Sequence, residues 1–220
     1  DFDLTDADAV HSYLEEYAPD KVIHCAAYTA VDRAEEDPDT CYRVNVSGTE
    51  YIARYCAEHD IPMMYFSTDY VFDGKGDQPF ETDHPRDPQN QYGRTKAWGE
   101  DAVTRQIRKY FILRISWVFG INGANFIKTM MRLGKERPEL KVVDDQIGSP
   151  TYTYDLAKLI AHMIATEKYG TYHATNEGVC SWYEFAKKIM EVAELPAKVT
   201  PDSTAEYPVK TARPANSRLS

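Results

Sequence analysis

Apolar positions along this chain repeatedly switch between two periods. "TDADAVHSYLEEY" places Val10, Tyr13, Leu14 and Tyr17 at helical spacing behind a capping candidate, Thr5, with Asp8 three residues on, and predicts a helix from about 6 to 17. "KVIHCAA", a short apolar run between "PD" and a small-residue loop, reads as a buried strand. "PDTCYRVNVSGTEYIARYCAEHD" is long and periodic enough for a helix, and the apolar "PMMYFS" is the next strand. The alternation continues with a helix from Tyr92 to about Ile107, strand "YFILRIS", helix "NFIKTMMRLGKE" and strand "LKVV". Beyond Pro150, helices "YTYDLAKLIAHMIAT" and "SWYEFAKKIMEVAEL" flank the short strand "TYHAT", and Ser181 with Glu184 matches a capping box. Strands alternating with helices of this length predict an α/β doubly wound parallel sheet with helices on both faces. The last stretch, "TPDSTAEYPVKTARPANSRLS", is polar and turn-rich.

Composition narrows the function. With 220 residues, 43% of them hydrophobic, the chain can bury a core as one domain, or one domain with a smaller lobe. A net charge of -10 without a Lys/Arg cluster argues against a nucleic-acid surface. No apolar run approaches the length of a membrane span and no signal-like N-terminus is seen, so a cytoplasmic protein is expected. Cys25, Cys41, Cys56 and Cys180 form no C-x-x-C pair and read as reduced packing residues. The six histidines lack zinc spacing, so no metal ligand is assigned.

Candidate chemistry lies past the strand ends, where open parallel sheets bind ligands. These are "CAAYTAVD" (25–32), "STDYVFDG" (67–74) and "SWVFG" (116–120). Ala26 and Ala27 would let a flat cofactor approach the backbone, or mark tight strand–loop packing. Ser67, Thr68 and Asp69 offer two hydroxyls and a carboxylate, or a turn cap. Tyr92 and Lys96, one helical turn apart, bring a phenol and an ammonium together. The charge is expected to lower the phenol pKa, though the pair alone also reads as a solvated lysine beside a half-buried ring. A hydroxyl, an acid and a cation are what carbonyl reduction needs as the oxyanion develops.

In order, "STDYVFDG", "YGRTKAWGE", "LRISWVFG", "NFIKTMMRLGKE", "VVDDQIGSPTYTYDLA" and "RPANSRLS" resemble the dTDP-4-dehydrorhamnose reductases, a family of extended short-chain dehydrogenase/reductases, over essentially the whole chain. The Tyr-x-x-x-Lys element marks only the superfamily; the other motifs are more specific. The resemblance implies reduction of the 4-keto group of dTDP-6-deoxy-L-lyxo-4-hexulose by NADPH or NADH, giving dTDP-L-rhamnose. It makes Tyr92 the general acid, gives Lys96 the nicotinamide ribose, and has Thr68 align the carbonyl. Asp3 and Leu4 match an adenine-contacting pair, and Ala26, Ala27, Tyr28, Thr29 and Ser67 the cofactor loop and strand end. Val31, Asp69, Val71 and Trp117, with Thr68 and Tyr92, match sugar-contacting positions; Trp117 equally reads as core. Arg213 resembles arginines near the nucleotide end, where a planar donor fork suits diphosphate, or is an exposed loop residue. Asn45 resembles the superfamily asparagine that steadies the active-site helix region; a structural role is an equal reading.

The implied fold is Rossmann-like, with a dinucleotide-binding core over 1–143 and a smaller, mainly substrate-binding α/β lobe over 144–220. The family's opening strand and glycine-rich turn have no counterpart here, nor does its closing helix, so a fragment with both ends cut is expected. The resemblance leaves magnesium possible but this sequence does not support it, because the family's sites depend partly on N-terminal acidic positions not present. A dTDP-sugar is the implied partner, with a homodimer compatible. Two alternatives stand: another nucleotide-sugar reductase or epimerase of the superfamily, or a non-catalytic regulatory subunit like that of methionine adenosyltransferase.

Overall fold

The computed structural model describes residues 2–206 and 210–220. In chain order the elements begin with α1 (Ala7–Tyr17), β1 (Val22–His24), α2 (Val31–Glu36), α3 (Pro38–Tyr42), α4 (Gly48–Glu58) and β2 (Met63–Thr68). There follow α5 (Gln91–Gln106), β3 (Tyr110–Ile115), β4 (Val118–Phe119), α6 (Phe126–Glu136), β5 (Glu139–Val143), β6 (Ile147–Gly148) and β7 (Thr151–Tyr152). The last are α7 (Thr153–Met163), β8 (Gly170–His173), β9 (Cys180–Ser181), α8 (Trp182–Val192), β10 (Lys198–Asp202) and β11 (Asn216–Ser217).

β1, β2, β3 and β8 form one parallel sheet in that order. Its strands are apolar on both faces because both are covered. Successive residues part company across the pleat: Met63, Tyr65 and Ile112 pack with Val10, Ile52, Tyr55 and Val103 from α1, α4 and α5. Met64, Phe111 and Leu113 face the other way, onto Leu156 of α7 and Ala174. Asp6, rather than Thr5, caps α1 by accepting from the amides of Asp8 and Ala9; the Thr5 hydroxyl is bound instead to Asp3.

The long helix expected after Pro38 carries a π-type turn at Arg43–Ser47 between α3 and α4. Such a turn widens the helix by one residue and often marks a functional site. Here it holds Asn45, which is buried.

The strand "LKVV" lies outside the main sheet. As part of β5 it pairs in parallel with β10, and α6 and α8 pack on this second sheet through Met130, Leu140, Val142, Ala186, Ile189 and Met190. A third small sheet, β11-β6-β9, lies beside it in the chain's later half. Layers therefore interleave along the sequence: α7 and β8 belong to the main sheet, whereas α6 and β5 belong to the lobe with α8 and β10. Period and composition reveal that a strand exists, but not which edge accepts it.

Helix α5 lies close on β2 because residue 99 is glycine. A Cβ there would strike the Tyr65 hydroxyl and approach the Asn45 carbonyl oxygen to 2.8 Å. Gly99→Ala is expected to destabilise the fold by about 1–3 kcal/mol, the usual range for overpacking. Denaturant unfolding reads this directly, and an unchanged midpoint would mean that α5 can shift outward freely.

Candidate active site

The carboxyl ends of β1, β2 and β3 open into a cavity of about 480 Å³. Thr68 ends β2, while Tyr92 and Lys96 project from the first turns of α5, and all three line this cavity. Asn90 caps α5 by accepting from the Gly93 amide at 2.8 Å, which fixes where the helix starts and so where Tyr92 stands.

Asn45 ties this helix to the β1 loop. Its Oδ1 accepts from the Tyr28 amide at 2.8 Å, and its Nδ2 donates to the Tyr28 carbonyl at 3.1 Å and the Thr95 hydroxyl at 3.0 Å. One side chain thus satisfies two backbone groups of the loop and one side chain of α5, so its structural role also steadies the site.

One turn beyond Lys96, Glu100 is buried and anchors the same helix to the sheet. Arg114 of β3 donates to it through Nε at 2.9 Å and Nη2 at 2.8 Å, Ser67 donates at 2.5 Å, and Arg86 reaches it at 3.2 Å. The paired donors of a guanidinium match a carboxylate's two oxygens, which keeps this buried charge compensated.

Burial dominates the acid–base state. It pushes the Tyr92 phenol above its ordinary value; the Thr68 hydroxyl opposes this and the Asp69 charge adds to it. The expected lowering by Lys96 is therefore outweighed, and the phenol carries its proton at neutral pH. Lys96 is itself drawn down to about 7 by burial, against the opposing pull of Glu100. Its Nζ lies 4.0 Å from the centre of the Tyr65 ring, and it makes no salt bridge among the described residues. Asp69 is buried, with one oxygen accepting from Thr68 at 3.0 Å and the other unpaired; burial lifts its carboxyl to about 6.

The remaining expected residues divide. Ala27, Thr29, Val31, Ser67, Asp69 and Trp117 line the same cavity. Tyr28, between Ala27 and Thr29, does not line it; its hydroxyl is buried and unpaired. Ala26 is exposed next to Ala27 and does not line the cavity. Asp3 is exposed and bonded to Thr5, and Leu4 packs over Gly48, so neither lines it. Val71 is not brought in either: the turn after β2 directs it into an apolar cluster with Phe72, Phe80, Ala97 and Leu219. Cys25 is exposed at the cavity, unlike the buried Cys41 and Cys56, and all four cysteines are free.

Arg213 borders a second cavity, of about 770 Å³, where it is paired with Asp32 at 2.8 Å. Lys210, paired with Glu36 at 2.8 Å, and Lys141 line it too. Tyr70 and Trp182 border both cavities. Sequence reasoning missed these two: the capping box at Ser181 locates the start of α8, but no periodicity tells which surface the first residue of a helix will meet.

With this geometry in view, comparison with known proteins is decisive. Residues 1–220 match the family model described as RmlD substrate binding domain. The dTDP-4-dehydrorhamnose reductase of Escherichia coli (strain K12) is 38% identical, covering 99% of this chain and 76% of that protein. The chain belongs to the dTDP-4-dehydrorhamnose reductase family. A further relative is the spore coat polysaccharide biosynthesis protein SpsK of Bacillus subtilis (strain 168), 43% identical over 99% of this chain and 76% of the relative. Among solved structures, dTDP-4-dehydrorhamnose reductase from Bacillus anthracis str. Ames in complex with NADP superposes with a TM-score of 0.97 at 46% identity, covering 100% of this chain and 78% of that one. A UDP-glucose 4-epimerase from Thermus thermophilus shares the fold, with a TM-score of 0.84 at 21% identity. The chain spans about three quarters of the length of these family members.

A buried lysine whose charge is disfavoured costs stability. Lys96→Met is expected to raise folding stability at neutral pH by about 1–4 kcal/mol, as when buried charges give way to apolar groups. The sign follows from linkage: the folded-state value near 7 lies below the ordinary 10.5, so the penalty is full below pH 7 and fades as pH rises towards 10.5. Denaturant melts at pH 6 and pH 9.5 should show the larger gain at pH 6; equal gains would refute the linkage.

Proposed function

We propose that this chain reduces the 4-keto group of dTDP-6-deoxy-L-lyxo-4-hexulose to dTDP-L-rhamnose with NADPH or NADH. The observation that carries the reading is the meeting of Thr68, Tyr92 and Lys96 in one cavity at the strand ends. Family membership supplies the substrate class. Relatives from other bacteria are dTDP-4-dehydrorhamnose reductases, and the Bacillus anthracis structure holds NADP.

The residues present fit a nicotinamide cofactor. Lys96 offers a buried amine to the cavity, with no acidic partner in salt-bridge reach among the described residues, a donor suited to ribose hydroxyls. Ala27, Thr29 and Ser67 lie along the same wall. When bound, a reduced nicotinamide supplies the hydride that reaches the carbonyl carbon. Tyr92, kept protonated by burial, donates its proton to the carbonyl oxygen as negative charge develops there. Thr68 can turn its hydroxyl from Asp69 to the same oxygen and orient it. Lys96, in its charged form, then favours the phenolate left on Tyr92, which takes its next proton from solvent.

Asp69 and Trp117 bound the sugar, and Val31 closes the cavity beside them. The second cavity receives the nucleotide end, where Arg213, Lys210 and Lys141 face the diphosphate. In this division the four-stranded sheet is the cofactor core, and the β5–β10 layer with α6 and α8 is the substrate lobe. No helix among the described residues is long and apolar enough to cross a membrane, and a soluble sugar nucleotide as substrate supports a cytoplasmic setting.

Absorbance of the reduced nicotinamide, followed with the dTDP-ketosugar, tests the reading. Tyr92→Phe should lower turnover by about 10²–10⁴-fold with cofactor affinity retained, and Thr68→Val should lower it less. A folded wild-type chain that binds both ligands without net cofactor oxidation would point instead to an epimerase.

A further inference from the structure

The reaction cavity and the cation-lined cavity meet at two aromatic side chains, Tyr70 and Trp182. Trp182 is the first residue of α8, and its backbone is pinned from three sides. Ser181 and Glu184 form a reciprocal capping box, the Ser181 hydroxyl also donates to Asp144 at 2.5 Å, and β9 pairs with β6 just before it. Its ring stacks on Trp117, with centroids 3.6 Å apart and planes 13° from parallel, and touches Phe126 of the second cavity at 4.4 Å.

Trp117 is held with equal care. Its backbone is left-handed, with φ 47°, a conformation that bulky residues adopt only when their surroundings enforce it. A Cβ at position 148 would come within 2.7 Å of the Trp117 ring, so Gly148 leaves the room the ring occupies. The stack is therefore a partition that joins the connection after β3 to the start of α8, and its second ring, Trp182, faces both cavities.

We propose that Trp182, together with Tyr70, forms an aromatic neck through which the link between sugar and nucleotide passes, making Trp182 a specificity-determining residue for nucleotide-linked substrates. This rests on the reading that the two cavities hold the two ends of one sugar nucleotide. Trp182 acts on binding through its ring face, while proton transfer stays with Tyr92.

The test compares the full chain carrying Trp182→Phe or Trp182→Leu with wild type. For Trp182→Leu, kcat/KM for the dTDP-ketosugar should fall about tenfold, carried mainly by KM, the scale of a lost aromatic contact. The NADPH dissociation constant should stay put. Trp182→Phe, which keeps a ring, should recover most of the loss. An exciton couplet of the stacked indoles in circular dichroism should be present in wild type and vanish in both variants. Calorimetry with dTDP alone decides the neck even if no ketosugar is reduced: about tenfold weaker binding in Trp182→Leu upholds it. Unchanged dTDP binding overturns it, as does an equal loss of NADPH affinity, which would reveal only a general packing defect.

Discussion

The carboxylate of Glu100 is held by three side chains from three parts of the chain, and the working geometry hangs on that knot. Arg114 brings in β3, Ser67 brings in β2, and Arg86 brings in the loop ahead of α5. Arg114 also donates to the Thr82 carbonyl at 2.9 Å, so the loop is tied twice. Because Glu100 lies on the face of α5 that also carries Lys96 and Tyr92, locking it to the strands sets the rotation of the whole helix. The pair sits where water is scarce, so a partner left alone would be a buried, unpaired charge. Around this fixed helix, Asn45 and Gly99 then determine how closely the β1 loop and β2 approach.

Two opposed electrostatic demands meet in the site. The same burial that holds Tyr92 in its acidic form also strips Lys96 of part of its charge. Glu100 moderates the second effect, since its charge favours the protonated Lys96 against burial.

Much of this was legible in the sequence because it rests on local pattern. The apolar runs around Met63 and Phe111 name the central strands, and Tyr92 with Lys96 one turn on names the helix that lines the cavity, although its cap at Asn90 went unread. The motif resemblance leads to Thr68 and Trp117, which line the cavity, yet places Val71 with them because a motif has no direction; the turn after β2 sends that side chain into the core. What pattern cannot carry is the long-range meeting of surfaces. The pairing of β5 with β10, the stack of Trp117 on Trp182, and the Arg213–Asp32 pair each join segments far apart in sequence. The direction of the Tyr92 shift escaped for the same reason: a neighbour four residues away is visible in the sequence, whereas desolvation by a whole cavity wall is not.

The interleaved order of layers has a kinetic side. β3 and β8 lie next to each other in the main sheet, yet the chain between them runs out through α6, β5, β6 and β7 before α7 brings it back. Their parallel pairing must close a long loop, and the lobe's second sheet waits in turn for β10, which is made still later. Loop closure of this kind lengthens the search for the native state more than it weakens the state once reached. During synthesis, β1 to β3 can assemble with α4 and α5 as each emerges, while the β5–β10 sheet can form only once β10 has been made. The helix that carries Tyr92 and Lys96 can thus be set before the β5–β10 layer closes beside it.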